Sequence, residues 1–146
     1  MRFYFPLIII DEDFRTENTS GSGIRELAAA IEAEGMDVVG YTSYGDLTSF
    51  AQQQSRAAGF ILSIDDEEFG GGSAEDSHSV LANLKGFVDK IRHRNPDIPI
   101  YLYGETRTSR HIPNAILREL HGFIHMHEDT PEFVARHIIR EAKSYL

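Results

Sequence analysis

Five short apolar runs, separated by polar stretches, divide this sequence into regular segments. The first extends from Leu7 to Ile10 without a polar gap and leads directly into the acidic residues at positions 11–13. A strand that is apolar on both faces is typical of the centre of a parallel sheet, where helices cover it above and below. A similar run, at 59–64, also leads into acidic residues. The pattern predicts strands at residues 7–10, 37–42, 59–64, 98–103 and 122–127.

The segments between these runs carry helical periodicity. Apolar residues at positions 24, 27, 28 and 31 recur at i, i+3, i+4 and i+7, which predicts an amphipathic helix with Ser22 as a candidate cap and Gly35 as its end. Further helices are predicted from residue 43, over 74–93 and over 113–120. A last helix has Thr130 as its cap and Pro131 in its first position. Its predicted inner face consists of Phe133, Val134, Ile138 and Ile139.

Strand and helix alternate along the whole chain, without an internal repeat or a linker. Parallel strands joined by helical crossovers form a sheet that is covered by helices on both faces. We therefore predict a single α/β domain. It is a three-layer sandwich with a five-stranded parallel sheet of order 2-1-3-4-5.

Composition narrows the possible partners. The 146 residues include 23 acidic residues against 14 Lys and Arg, which gives a net charge of -9. Such a surface repels phosphate groups, so neither nucleic acid nor a membrane surface is expected as a partner. The chain has no cysteine and therefore no disulfide. It also lacks an export signal and an apolar run long enough to span a bilayer, so a cytoplasmic protein is expected.

Acidic residues follow two strands that the predicted order makes neighbours. Asp11 and Asp13 follow the first strand, and Asp65 and Asp66 follow the third. Open α/β sheets bind ligands in the crevice at the carboxyl ends of such strands. Carboxylate oxygens suit a hard cation such as Mg²⁺, so Asp11, Asp13 and Asp65 form a candidate acidic pocket.

This layout resembles the receiver domains of two-component signalling, which share their fold with flavodoxins. The resemblance implies that Asp65 would be the phosphate-accepting residue. Receivers also need a Thr or Ser after strand 4 and a Lys after strand 5. Here those places hold Gly104 and the segment His125-Met-His127, so phosphotransfer is not expected. A free-standing receiver or pseudo-receiver with a magnesium pocket remains an alternative hypothesis.

Other candidate chemistry in the sequence is weaker. His125 and His127 alternate on predicted strand 5 and would share a face near His121, as a metal site or a pH-sensitive cluster. The Ser/Gly-rich loop at 16–23 occupies the place where flavodoxins hold the FMN phosphate, but the acids around it would repel phosphate. No catalytic, cofactor-binding or metal-binding residue is therefore assigned in this segment.

Three segments go beyond a generic α/β pattern: residues 5–21, 42–56 and 60–68. Together they resemble the N-terminal domain of bacterial inducible ornithine/lysine/arginine decarboxylases, which are pyridoxal-phosphate enzymes of fold type I. The resemblance implies that residues 1–146 form a receiver-like "wing" domain of a longer decarboxylase, whose cofactor-binding core is not in this chain. The family's catalytic lysine lies in a Ser-x-His-Lys context, and no such tetrapeptide occurs here.

The same resemblance implies a function. The wing would be a non-catalytic oligomerisation or regulatory domain, with other subunits of the decarboxylase as partners, in dimers and up to five dimers in a ring. Some members bind ppGpp between subunits. The parent enzyme would serve amino-acid catabolism, diamine or polyamine production and acid response. A domain that packs against neighbours should expose an apolar or aromatic patch, for which the candidates are Tyr4, Tyr41, Tyr44, Tyr101 and Tyr103.

Overall fold

The computed structural model describes residues 5–11, 22–41, 57–64, 74–105, 110 and 112–145, with the backbone alone at residues 22 and 74–83. The strands are β1 (Leu7–Ile10), β2 (Val38–Tyr41), β3 (Gly59–Ser63), β4 (Ile100–Gly104) and β5 (Gly122–His125). The helices are α1 (Ser22–Ala33), α2 (Ala74–Arg94), α3 (Asn114–Leu117) and α4 (Pro131–Tyr145). The helix predicted from residue 43 lies outside the described residues.

The five strands form one parallel sheet of order β2-β1-β3-β4-β5. This confirms the predicted fold class and strand order. Every residue of β1 and β4 is buried, as are all residues of β3 except Ser63. The edge strands β2 and β5 each have one buried residue and three half-buried ones. Continuous apolar runs thus became the strands that are covered on both faces.

The pleat of β1 divides the core into two layers. Leu7 and Ile9 pack with α1 and α4 on one side of the sheet, whereas Ile8 and Ile10 pack with α2 and α3 on the other. All four side chains are at most 2% exposed. Since burying an isoleucine or leucine side chain stabilises a protein by about 1.5–3 kcal/mol, this one strand anchors both layers.

Two of the predicted helix-end signals lie at the ends of helices, whereas Ser22, the candidate cap of α1, is the first residue of that helix. The four apolar positions of α1 are all buried, and the turn after it contains Gly35 with φ of 97°, a left-handed conformation that favours glycine at a helix end. Helix α4 begins at Pro131, and the Thr130 carbonyl accepts a hydrogen bond from the Val134 N–H at 3.0 Å.

Helix α2, 21 residues long, follows its prediction closely and ends just before Asn95-Pro96. Leu84, Val88 and Ile91 are buried against the sheet. Its last turn carries basic residues, which suit the negative end of the helix dipole. In the part of the chain that the structure describes, no helix is both long and apolar enough to cross a membrane.

One predicted core residue is on the surface. The prediction placed Phe133 on the inner face of α4, but its side chain is 70% exposed. The buried residues of α4 are Val134, Ala135, Ile138, Ile139 and Ala142. At 100° per residue, Phe133 lies about 170° from the middle of that stripe, so it cannot share its face. The prediction for Phe133 was therefore wrong.

Candidate functional site

The carboxyl ends of β1 and β3 meet at the point where the strand order reverses. Asp11, directly after β1, accepts a hydrogen bond from the Ser63 hydroxyl at 2.5 Å, and its N–H donates to the Tyr41 carbonyl at 2.9 Å. These bonds tie Asp11 to β3 and β2. Asp13 and Asp65, the other two members of the predicted acidic pocket, lie outside the described residues. Asp11 therefore lies where the prediction placed it, at the crevice edge, and its carboxylate already accepts a hydrogen bond from Ser63.

A buried tyrosine borders the same edge. Tyr103 on β4 is 4% exposed, and burial raises the pKa of its phenol to about 12, with Asp11 and Glu26 adding to the effect. The phenol is therefore neutral at physiological pH. Its hydroxyl lies against the first turn of α1, where a Cβ built on Gly23 would clash with it. Glycine at that position lets helix and tyrosine approach closely.

The end of β4 has little room for a side chain. A Cβ at Gly104 would lie 3.1 Å from the Ile64 carbonyl oxygen and 3.3 Å from Cζ of Phe123. Contacts this short require a neighbour to move, and a carbonyl oxygen inside a sheet moves with difficulty. The place where receivers carry a hydroxyl is thus occupied by a glycine that the packing favours.

The histidines near β5 do not form the predicted cluster. The strand ends at His125, whose N–H donates to the Asp129 carboxylate at 2.7 Å, and the chain then turns. His127 lies in that turn with a 73% exposed side chain, 4.0 Å from the Glu105 carboxylate. The two histidines therefore do not alternate on one strand, and that prediction was wrong. Among the described residues, no three His, Asp or Glu side chains are grouped so that they could hold a metal ion.

A cavity of about 180 Å³ opens between β5 and α4, and we call it the β5–α4 cavity. Tyr101 is 2% exposed, and its hydroxyl has no hydrogen-bond partner among the described residues. The tyrosine ring lies 6.1 Å, between centroids, from each of two histidine rings, His121 and His137. Burial, with Glu141 as a smaller cause, raises the pKa of the Tyr101 phenol, so it stays protonated. The residues that line the cavity include Tyr101, His121, Phe123, Asp129, Phe133 and His137.

The predicted aromatic patch differs from the observed surface. Tyr101 and Tyr103 are buried, and Tyr41 is half-buried against the core. Tyr4 and Tyr44 lie outside the described residues. The exposed large apolar side chain in the described part of the chain is Phe133, at the rim of the β5–α4 cavity.

Arg92 is a structural residue that the sequence analysis missed. Its guanidinium donates to the Ile98 carbonyl at 2.5 Å, to the Pro96 carbonyl at 3.1 Å, and twice to the Glu119 carbonyl at 2.5 and 3.0 Å. Burial lowers the pKa of Arg92, and the nearby acids oppose that shift. The arginine therefore joins the end of α2 to the segments that precede β4 and β5.

His121 connects Arg92 to the β5–α4 cavity. The Nδ1 atom of His121 lies 3.4 Å from both the Ile100 N–H nitrogen and Nη2 of Arg92. Both groups are donors, so Nδ1 acts as the acceptor and the neutral ring carries its proton on Nε2. Burial is the largest cause, and Arg92 the second, of a His121 pKa below the ordinary 6.5.

This environment predicts an acid-sensitive contribution to stability. Below pH 6.5 the unfolded chain binds a proton at His121 that the folded chain resists, so the free energy of unfolding falls as the pH drops through and below that value. Urea titrations between pH 5 and 7.5 should show a smaller acid loss for His121→Gln than for the wild type. His127→Gln, in the exposed turn, is the matched control and should keep the wild-type loss. Equal losses for all three proteins would contradict this role of His121.

The sequence patterns did not predict the β5–α4 cavity. Tyr101, His121, Asp129 and His137 come from four separate segments that only the folded sheet brings together. One signal was present. Phe133 and His137 are four residues apart and both lie off the apolar stripe of α4, which indicates an exposed flank.

Comparison with known proteins identifies the family. The family described as "Orn/Lys/Arg decarboxylase, N-terminal domain" matches residues 19–145. Lysine decarboxylase LdcA of Pseudomonas aeruginosa is 25% identical over 145 residues, which cover 97% of this chain and 18% of that protein. This chain thus spans less than a fifth of the length of the curated relative that it matches.

Solved structures agree on the fold. A lysine decarboxylase A structure from Pseudomonas aeruginosa has a TM-score of 0.80 and 25% identity, over 98% of this chain and 19% of that one. The constitutive lysine decarboxylase of E. coli has a TM-score of 0.63 and 18% identity, over 97% and 18%. A receiver domain protein from Clostridium thermocellum has a TM-score of 0.63 and 11% identity, over 96% and 95%. Because the family match spans most of the sequence, the chain belongs to the Orn/Lys/Arg decarboxylase N-terminal domain family.

Proposed function

We propose that this chain is a non-catalytic domain that assembles or regulates a longer, pyridoxal-phosphate-dependent decarboxylase of ornithine, lysine or arginine. The observation that carries the proposal is the family match over residues 19–145. In this proposal the longer protein removes CO₂ from a basic amino acid and releases a diamine or polyamine precursor, in the cytoplasm and as part of acid response. The cofactor supplies the electron sink for that reaction.

The lysines of this chain do not suit the cofactor. Pyridoxal phosphate enzymes use a lysine that is desolvated or otherwise activated to form a Schiff base. The sequence has three lysines, Lys85, Lys90 and Lys143, and all are exposed on helices. Lys85 forms an exposed ion pair with Asp89 at 3.0 Å. The cofactor site therefore belongs, in our proposal, to the core of the longer protein.

The receiver alternative finds less support. A phosphoryl group on a receiver needs a hydroxyl and a cation to neutralise it. Gly104 holds the place of the hydroxyl and has little room for a side chain. Strand β5 ends at His125, and no lysine follows it before α4. The acidic edge at Asp11 is better explained as geometry shared with receivers than as a phosphorylation site.

The partners that we propose are other subunits of the same decarboxylase, in a dimer or a larger ring, with ppGpp as a ligand of the assembly. The exposed Phe133 gives this domain one apolar side chain that a neighbouring subunit can cover. With a net charge of -9, neither nucleic acid nor a membrane surface is proposed as a partner.

The proposal is tested on the longer polypeptide with and without residues 1–146. We expect the truncated protein to keep its cofactor and measurable decarboxylation of its amino-acid substrate, but to form a smaller assembly. The isolated 146-residue chain should release no CO₂ from lysine, ornithine or arginine, with or without pyridoxal phosphate. Decarboxylation by the isolated chain would contradict the non-catalytic assignment.

A further inference from the structure

Helix α4 has an outer face opposite the stripe that packs on the sheet. Five side chains of this face are exposed, and we call them the α4 outer face: Glu132, Phe133, Arg136, His137 and Arg140. With 3.6 residues per turn, they span roughly 140° of the helix circumference, so they can be covered by one partner. The buried residues of α4 lie on the other side.

Charge changes sign along this face. Acidic residues lie just before the helix or in its first turn: Glu128, Asp129 and Glu132. Basic residues follow in the later turns: Arg136, Arg140 and Lys143. The helix dipole favours an acid in the first turn and a base in the last, but its effect is confined to those turns. It therefore does not explain the two arginines in the middle of α4.

These two arginines have no partner in the part of the chain that the structure describes. Neither the Arg136 nor the Arg140 guanidinium forms an ion pair or a hydrogen bond with a described residue. Both side chains are exposed, so a carboxylate from outside the domain can reach them. Arginine pairs well with carboxylates at interfaces because it can donate two parallel hydrogen bonds to them.

A face with acids at one end and bases at the other is complementary to a copy of itself turned by 180°. If two α4 helices lie antiparallel about an axis near residue 134, Glu132 faces Arg136 of the partner subunit. In the same arrangement, Asp129 faces Arg140 of the partner subunit. A twofold axis repeats each of these pairs. Glu141 then lies towards Glu128 of the partner subunit, but Glu141 is half-buried and its charge acts on Tyr101 and His121.

An apolar side chain lies close to the same axis. Phe133 is 70% exposed, and the β5–α4 cavity of about 180 Å³ opens beside it. A cavity of ~150 Å³ can hold a benzene molecule, so this one has room for a phenyl ring. A central aromatic anchor surrounded by charged pairs is typical of protein interfaces. We infer that the α4 outer face docks a second copy of this chain, with the two α4 helices antiparallel and Phe133 near the twofold axis.

The contact is tested on the 146-residue chain by sedimentation equilibrium over about 10 μM to 1 mM, since a small interface between two chains of charge -9 should be weak. We expect a monomer–dimer equilibrium. Phe133→Ala should raise the dissociation constant at least about tenfold, because the twofold axis makes the dimer lose the ring twice. Glu132→Arg and Arg136→Glu should each raise it about tenfold or more, because each places like charges opposite one another.

Mixing the two charge variants tests the antiparallel arrangement itself. Glu132→Arg carries arginine at both positions, and Arg136→Glu carries glutamate at both. Each variant alone should associate weakly, whereas an equimolar mixture should form a heterodimer within about threefold of the wild-type affinity. The double variant Glu132→Arg/Arg136→Glu should also recover that affinity, because it restores opposite charges at both pairs.

Variants on α2 separate this face from the general charge of the protein. Asp89→Arg and Lys90→Glu make the same changes in net charge at exposed positions of α2, across the sheet from α4. Neither should change the dissociation constant more than about threefold. Thermal melts should show that every variant is folded, since all of these positions are exposed.

The inference is overturned if the chain stays monomeric over this range, or if the mixture associates no better than its two components. Equal effects of Asp89→Arg and Glu132→Arg would overturn it as well. If the isolated chain is monomeric while Phe133→Ala reduces the assembly of the longer protein, the face contacts another part of that protein and not a second copy of this chain.

This inference deepens the proposed function and rests on it for the place of the contact in the longer protein, but the two can fail separately. A monomeric isolated chain, beside a longer protein whose assembly needs residues 1–146, contradicts the inference alone. A dimeric isolated chain, beside a truncated protein with an unchanged number of subunits, contradicts the proposed function alone.

Discussion

Arg92→Ala is expected to lower the free energy of unfolding by about 2–4 kcal/mol, because it removes four hydrogen bonds from a guanidinium and leaves partly buried carbonyl groups without that donor. The arginine side chain is 13% exposed, so water cannot easily replace those bonds. The melting temperature should fall by about 5–15 °C, as measured by calorimetry or circular dichroism.

Two variants sharpen this test. Lys90→Ala removes one positive charge from an exposed position of the same helix and should change stability by less than about 0.5 kcal/mol. Arg92→Lys keeps the charge but cannot reach three carbonyls at once, so we expect it to recover less than half of the loss. If Arg92→Lys matches the wild type, charge rather than the hydrogen-bonded geometry is what matters.

Gly104→Thr is expected to destabilise the domain by about 2–3 kcal/mol, through overpacking at the end of β4. Its Cβ would lie 3.1 Å from the Ile64 carbonyl oxygen and 3.3 Å from the Phe123 ring. Although this change restores the hydroxyl that receivers carry, we expect Mg²⁺ and beryllofluoride, a phosphoryl analogue, to bind neither protein tightly. Amide NMR shifts report that binding, and urea titration reports the stability.

Gly86→Ala is the matched control for that substitution. A Cβ at Gly86 meets nothing within 4 Å, and the residue lies within α2. Alanine should therefore stabilise the domain by up to about 1 kcal/mol through helix propensity alone. If Gly104→Thr leaves the free energy of unfolding unchanged, the end of β4 accommodates a side chain more easily than the packing indicates. Tight beryllofluoride binding by the wild type would favour the receiver hypothesis.

The sheet could be predicted because its strands carry the strongest local signal. Leu7 to Ile10 and residues 59–62 are buried without a polar gap, the pattern that is typical of a covered parallel strand. At the strand ends, the predicted boundaries differ from the observed ones. The predicted fifth strand extended to His127, but the Asp129 side chain binds the His125 N–H and the chain turns there. That contact comes from a side chain four residues away, and hydrophobic periodicity does not report it.

The site was harder to predict than the fold. The acidic edge was expected, and Asp11 is there, because the carboxyl ends of neighbouring parallel strands must meet. Arg92 was missed, since its role depends on carbonyl groups of three loop residues rather than on any sequence spacing. Phe133 was misplaced because four predicted inner residues of α4 span too much of the helix circumference to share one face.

The domain combines a receiver-like sheet with strand ends that lack two receiver side chains, the hydroxyl after β4 and the lysine after β5. Gly104 replaces the hydroxyl, and His125 closes β5 without a lysine after it. In the part of the chain that the structure describes, the β5–α4 cavity opens to the outside, with the exposed Phe133 at its rim. This distribution supports a role at surfaces between subunits rather than at a catalytic crevice.

The most direct test of that role is the mass in solution of the longer decarboxylase, measured by analytical ultracentrifugation with and without residues 1–146. We predict that the intact protein forms the larger assembly and that the truncated protein, with its cofactor still bound, forms one with fewer subunits. If both proteins contain the same number of subunits at the same concentration and pH, this domain does not assemble the enzyme and the account is contradicted.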